Sequence, residues 1–141
     1  MKEDLNGRWD IAVVALRLPD GRFVFQRRDN KAPSSPKMLT FFGGAVENNE
    51  EPTKAAAREL REETSLEFKD SGLKKVVSFP RAALNGFGVH LYLLDINSFN
   101  FEVYEGEGAE VYGLEEALIK QDITDGSRIA CVYLKRYLEK N

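Results

Sequence analysis

The stretch GAVENNEEPTKAAARELREETSL, residues 44 to 66, constrains this chain more than any other segment. Pro52 suits the first position of a helix, where its missing N–H is no loss. From Thr53 to Thr64 follow three alanines, a leucine and charged helix formers, which predicts a helix. At about 100° per residue Ala56, Ala57, Leu60 and Thr64 share one arc, the side that can face a core. Glu59, Glu62 and Glu63 fall on an adjacent arc together with Ala55. Three carboxylates therefore converge on one strip.

A solvated helix face would alternate glutamates with basic residues at i+3 or i+4, each pair contributing about 0.2–0.5 kcal/mol. Here Glu59 meets Glu62 at i+3 and Glu63 at i+4, both repulsive, and only the Arg58 to Glu62 spacing is complementary. Hard divalent cations such as Mg²⁺ and Mn²⁺ take oxygen ligands, and carboxylates clustered on a rigid helix supply them. Spacing alone leaves both readings open, a charged solvent face and a metal site.

The rest of the chain mixes strands and helices. Asp10 to Leu18 is a short apolar run, Pro19-Asp20-Gly21 signals a turn, and Arg22 to Arg28 resumes strand character, so a hairpin is predicted. Residues 31 to 37, KAPSSPK, read as a loop. Further strands are expected at Lys75 to Phe79 and Phe87 to Ile96. A short helix is expected at Gly113 to Lys120, and a longer amphipathic one at Ser127 to Glu139 with Ser127 as its cap. Interleaved strands and helices predict a sheet with helices packed on it.

At 141 residues the chain is expected to form a single domain. A net charge of -3 argues against a broad footprint for long nucleic acid, so an anionic ligand needs positive charge from elsewhere. The single cysteine, Cys131, excludes an intrachain disulfide. The start MKEDLNGRWD lacks the apolar core of a signal peptide, and no apolar run approaches the roughly 20 residues that span a bilayer. A reduced, cytoplasmic setting is the expectation.

The spacing Gly44, five residues, Glu50, seven residues, then Arg58-Glu59-Leu60-Arg61-Glu62-Glu63 and Leu66 resembles the box that marks the Nudix hydrolases. The one departure is Ser65, where that box has glycine. A glycine closing a helix takes positive φ, so serine there is expected to cost up to about 1 kcal/mol locally. The likeness extends to the preceding hairpin, to Phe41-Phe42-Gly43-Gly44, and to Glu105 through Tyr112 followed by LEEAL. It implies an α/β fold of the Nudix type, an α/β/α sandwich with a mixed sheet. It also implies metal-dependent hydrolysis of a diphosphate linkage in a nucleotide, with Mg²⁺ as cofactor and Mn²⁺ as the alternative.

Carried over by position, Glu59, Glu62 and Glu63 resemble the metal ligands, with Glu59 also placed to activate water. Arg58 resembles the residue that orients them, Glu50 a helper from the loop, and a carbonyl of Gly43 or Gly44 a further ligand. Many Nudix enzymes add an acid from outside the box, and Glu105, Glu107 and Glu110 compete for that role, with Glu105 favoured. Arg27 and Arg28 at the second strand's end are candidates for substrate phosphate, and Asp125 for base recognition. The implied partner is a small nucleotide, with no long nucleic acid and no membrane; a homodimer stays open.

Other residues have plainer readings. His90 fits a structural or surface role better than a general base, and Cys131 a packed side chain. Asp122 to Ser127 hints at a calcium loop but lacks the ligand spacing. Trp9 either stacks on a base or packs at the first strand. Two alternatives to a hydrolase remain: a nucleotide-binding module without catalysis, and a diphosphate isomerase on the same fold, which needs a well-placed cysteine.

Overall fold

In a computed structural model, residues 10 to 81 and 84 to 140 are described, and Trp9 lies outside them. The chain opens with β1 (Ile11–Arg17) and β2 (Phe23–Arg27), the predicted hairpin, paired antiparallel with Leu16 opposite Val24. Two short strands follow, β3 (Leu39–Thr40) and β4 (Phe42–Ala45), then helix α1 (Pro52–Glu63). Next come β5 (Lys74–Arg81), β6 (Leu84–Asp95), β7 (Ala109–Tyr112), α2 (Leu114–Leu118) and α3 (Asp125–Lys140).

The seven strands of the described residues form one mixed sheet. Its main path runs β3-β2-β1-β6-β5, with β4 added on β1 and β7 on β2. Among the strands of the described residues only β1 and β6 run parallel, in register from Ile11 opposite Val89 to Arg17 opposite Asp95. A parallel pair in the middle of a sheet has both faces covered, and its strands read as near-continuous apolar runs. That is the character of IAVVALR and of Val89 to Leu94.

Side-chain alternation sends the strands' residues to two cores. Ala12, Val14, Leu16, Val24, Tyr92 and Leu94 pack with Ala55, Ala56, Ala57 and Leu60 of α1. On the other face Ala15, Phe23, Phe25, Leu91 and Leu93 pack with Ala130, Cys131 and Leu134 of α3. The molecule is thus the expected α/β/α sandwich.

Three local expectations change. α3 begins at Asp125, so Ser127 lies inside the helix; Thr124 takes the capping role, its Oγ1 accepting from the Ser127 N–H at 3.3 Å. The Ser127 hydroxyl is used elsewhere, facing Thr40 Oγ1 at 3.1 Å and accepting from the buried Phe41 N–H at 3.2 Å. Ser65 is not among the residues with positive φ, which outside glycine are Ser35, Lys37 and Asn49 among the described residues. α1 instead ends on extended backbone at Thr64, and Ser65 pairs with Glu102 through Ser65 N–H to O at 3.0 Å and Glu102 N–H to Oγ at 2.7 Å. The serine adds a hydrogen bond where a conformational penalty was expected. Ala55, finally, is as fully buried as Ala56, so the strip that carries the glutamates is covered at that position although Glu62 is exposed.

Leu60 anchors α1 with no exposed surface. Leu60→Ala is expected to lower the unfolding free energy by about 3 kcal/mol in urea titration, since a cavity replaces a packed side chain. A loss below about 1 kcal/mol would mean that α1 does not carry this core.

Candidate active site

The three glutamates of α1 share a strip but occupy different environments. Glu63 is 5% exposed, whereas the Glu62 side chain is 55% exposed. One Glu63 oxygen accepts from the Gly43 N–H at 2.9 Å, which ties the end of α1 to β4. Burial pushes the Glu63 carboxyl up to about 9, against the pull of that hydrogen bond, and the neighbouring Glu59, Glu105 and Glu62 push the same way. Glu59 is also raised, chiefly by burial, although Arg58 opposes the shift.

The glycines of β4 make this possible. A Cβ on Gly44 would collide with the Glu59 carboxylate, and one on Gly43 with the Ala12 carbonyl of β1. Glycine is a poor strand former, so its use at both positions reflects close approach of backbone and carboxylate.

Arg58 organises the acids. Its Nε and Nη2 form a bidentate pair with Glu50 at 2.9 and 3.0 Å. Nη1 donates to Glu59 at 3.0 Å and Glu62 at 3.2 Å, and Nη2 also to the Ala45 carbonyl at 3.0 Å. Four acidic or carbonyl partners thus share one guanidinium, the residue type whose planar fork suits such a task. Arg61 points the other way, to Asp70 at 2.7 Å and over the Phe68 ring, fixing the loop after the helix.

The three loop acids separate cleanly. Residues 102 to 104 run along the end of α1, with the Tyr104 N–H donating to the Glu63 carbonyl at 2.8 Å. This delivers Glu105 to the cleft, where it lines the same cavity as Glu63, Gly43 and Gly44. The buried Gln26 amide holds the Glu105 carbonyl at 3.1 Å. Glu107 pairs with Lys37 at 2.7 Å. Glu110 is gripped by Arg27 at 2.7 Å on both oxygens and accepts from the Tyr112 hydroxyl at 2.6 Å.

Strand alternation likewise divides the two arginines. Gln26 and Arg28 face the cleft, and the Arg28 Nε is fixed by the Ser34 carbonyl at 3.0 Å. Arg27 points to the opposite face, where Glu110, Asp122 and the Lys37 carbonyl engage it. It does not reach the cavity. Asp122, in the segment that hinted at a calcium loop, pairs with Arg27 instead, and Leu39 N–H donates to its carbonyl.

The cavity of about 530 Å³ has an apolar wall from Ile11, Val13, Phe79 and Val89, with Thr40, Asp125 and Ser127 at the α3 side. Asp125 is thus brought to the site; Gln26, Thr40 and Ser127 are cleft residues that sequence reasoning missed. A glutamine inside the apolar run FVFQRR was a signal for the first. His90 lies elsewhere, its ring between Ser78 at 2.8 Å and Asp10 at 3.0 Å, joining β5 and β6 to the start of β1.

The donor set suits a hard divalent cation in kind, since Glu59, Glu62, Glu63 and Glu105 offer only oxygen and two of them are desolvated without full compensation. Among the described residues no group of three acidic, histidine or cysteine side chains is arranged as a ready-made cage.

The sequence matches the NUDIX domain family model over residues 7–130. Among curated proteins it has no match. A MutT NUDIX hydrolase from Burkholderia pseudomallei is 25% identical at a TM-score of 0.64, over 86% of this chain and 97% of that one. The Deinococcus radiodurans protein DR0079 is 22% identical at a TM-score of 0.75, over 89% and 82%. A bifunctional NMN adenylyltransferase/ADP ribose pyrophosphatase from Francisella tularensis, in complex with AMP and a Mn ion, is 15% identical at 0.65, over 92% and 42%. The fold and the box on α1 are those of one class, and the chain belongs to it: the NUDIX family, the Nudix hydrolases.

The Arg27 grip has a consequence for acid stability. Arg27 holds the Glu110 carboxyl down at about 2 from an ordinary 4.5, so its contribution is complete above about 4.5 and is lost as pH falls toward about 2. Because the Glu110 side chain is 34% exposed, solvent screening reduces the effect, and Glu110→Gln is expected to cost about 1 kcal/mol at neutral pH. The difference from the parent protein should shrink in urea titrations as pH drops through that window. A pH-independent difference would show that the ion pair is not its origin.

Proposed function

We propose that the cleft hydrolyses a diphosphate linkage in a nucleoside di- or triphosphate or a nucleoside diphosphate derivative. The observation that carries this is the pair of desolvated carboxyls, Glu59 and Glu63, set against the side-chain-free backbone of Gly43-Gly44 and organised by Arg58. A structural helix gains nothing from burying two carboxyls whose ionisation is thereby opposed, whereas a divalent cation that accompanies a diphosphate would be held by them. The Mn ion and AMP bound to the Francisella neighbour are consistent with a nucleotide and a divalent ion here.

In this reading Glu59, Glu62 and Glu63, with a carbonyl of Gly43 or Gly44, would hold Mg²⁺ or Mn²⁺. When bound, such an ion would neutralise diphosphate charge and would lower the pKa of an attacking water. Arg58 keeps Glu59 and Glu62 in place and holds Glu50 on the loop. Glu105, fixed through its carbonyl by Gln26, presents a carboxylate to accept the proton of the attacking water. Arg28, held by Ser34, presents positive charge to the phosphates. Asp125, on the cavity's α3 side, accepts hydrogen bonds from a purine amino group.

The isomerase alternative is weakened by Cys131, which is fully buried on the inner face of α3 and whose thiol burial pushes up to about 12. A thiol in that state is inert.

Activity is expected to require Mg²⁺ or Mn²⁺ and to vanish in excess EDTA. Glu59→Gln should lower kcat about 100-fold, or about 2.7 kcal/mol of transition-state stabilisation. Its metal-free melting temperature should stay the same or rise, because a like-charge contact is relieved. Mg²⁺ should raise the melting temperature of the parent more than that of the variant. Full turnover in EDTA, or a destabilised Glu59→Gln with normal turnover, contradicts the mechanism. Asp125→Ala should alter the ranking of purine and pyrimidine nucleotides in kcat/KM; an unaltered ranking removes Asp125 from base recognition.

A further inference from the structure

Just past α1 an antiparallel ladder begins and stops at once. Thr64 bridges Val103, and the next pair along is Ser65 and Glu102. In a regular ladder such a pair exchanges two N–H to C=O bonds. Here the Ser65 N–H donates to the Glu102 carbonyl at 3.0 Å, but the Glu102 N–H donates to the Ser65 hydroxyl at 2.7 Å rather than to the Ser65 carbonyl. Continued in register, Glu67 would pair with Asn100. It does not: among the described residues Glu67, Asn97, Ser98 and Asn100 make no hydrogen bond or ion pair, through main chain or side chain. The two stretches instead wall a groove of about 610 Å³, and none of the residues lining it lines the catalytic cleft.

The first wall is built like a strand that lacks a neighbour. Thr64 and Lys69 have extended backbone. Between them Leu66 and Phe68 pack against the α1 core, as Phe101 does from the second wall, while Glu67 and Lys69 are exposed. Unpaired N–H and C=O groups on such a stretch are a template for another extended chain. The second wall adds the amides of Asn97 and Asn100 and the hydroxyl of Ser98, which both donate and accept, as peptide groups do. Lys69 is the one cation in the lining, which makes this a poor phosphate site. Because Glu67 and Lys69 are two residues apart on extended backbone, a carboxylate and an ammonium project to the same side. A chain lying antiparallel to residues 66 to 69 complements both when an acidic side chain faces Lys69 and a basic one, two residues later, faces Glu67.

We propose that this groove docks an extended peptide segment of a partner protein. Alternate apolar side chains of that segment lie over Leu66, Phe68 and Phe101, and the acidic and basic side chains between them meet Lys69 and Glu67. The Ser65 hydroxyl keeps the groove open by taking the Glu102 N–H, which ends the ladder before Asn100 can close it. The departure from glycine at the end of the box is thereby given a use separate from hydrolysis.

The test adds acetyl-Val-Glu-Val-Lys-Val-amide to the isotope-labelled full chain and follows backbone amide shifts by NMR. Saturable shifts are expected at residues 65 to 69 and 97 to 101, with Kd of about 1 mM or lower. The same peptide N-methylated along its backbone keeps its side chains but loses main-chain donors, and should bind about tenfold more weakly or worse. Glu67→Lys sets like charges opposite each other and should weaken the unmethylated peptide several-fold. Ser65→Gly removes the hydroxyl and should also weaken it, as the ladder closes. Absence of saturable shifts, shifts centred on the catalytic cleft, or equal binding of the methylated peptide overturns the docking site; these three readings use the parent protein, so none depends on a variant folding. Unchanged affinity in Glu67→Lys overturns the charge match, and unchanged affinity in Ser65→Gly overturns the role of the hydroxyl.

Discussion

The structure depends on one unfavourable contact made tolerable: carboxyls buried at the seam between α1 and β4. Glu63 keeps one oxygen on the Gly43 N–H, and Glu59 lies against Gly44, where any side chain would displace it. Desolvation and the nearness of the other carboxyls both oppose ionisation there, and Arg58 offsets only part of this because Glu50 takes two of its donors. The remaining deficit of positive charge is local to the seam. It sets the identity of β4 as well, since two consecutive glycines are poor strand formers and persist here because β1 and the glutamates approach too closely for a Cβ.

The same seam recruits a distant segment. Once Ser65 pairs with Glu102 and Glu63 with Tyr104, the chain from 102 onward must pass beside the buried acids, and Glu105 follows. Gln26 and the Gly106 approach to Arg27 then hold the loop against β2. Position, more than residue type, separates Glu105 from Glu107 and Glu110. All three are glutamates of one loop and strand, but Lys37 and Arg27 have claimed the latter two.

Much of this was readable in the sequence because it follows from local periodicity. The hairpin, the helix carrying RELREE and the interleaved strands and helices all rest on patterns within a dozen residues, and each is present. The elements that were not anticipated depend on distant partners. β3 and β4 are strands of two and four residues whose partners lie on β1 and β2, and β7 is recruited by β2 across more than eighty positions. Ser127 has a helix-cap composition but a buried partner at Phe41, and Ser65 occupies a glycine position without needing glycine's backbone. Tertiary hydrogen bonds decided both. The three glutamates look equivalent on a helical wheel; only packing distinguishes the buried Glu63 from the exposed Glu62.

Arg27 and Arg28 carry that point to the site itself. They are adjacent and chemically identical, and at the end of a strand both read as candidates for phosphate. Because successive side chains of a strand point to opposite faces, β2 can place only one of them in the cleft. The register is set by Phe23 and Phe25, which belong to the α3 core, so Arg27 follows them to that side and Arg28 falls on the other with Gln26. There Arg27 closes a network with Glu110 and Asp122 that joins β2, β7 and the approach to α3. The ion pair on one face stiffens the strand that presents Gln26 and Arg28 on the other. One residue braces the cleft from behind, and its neighbour lines the cavity that Glu63 and Glu105 also line.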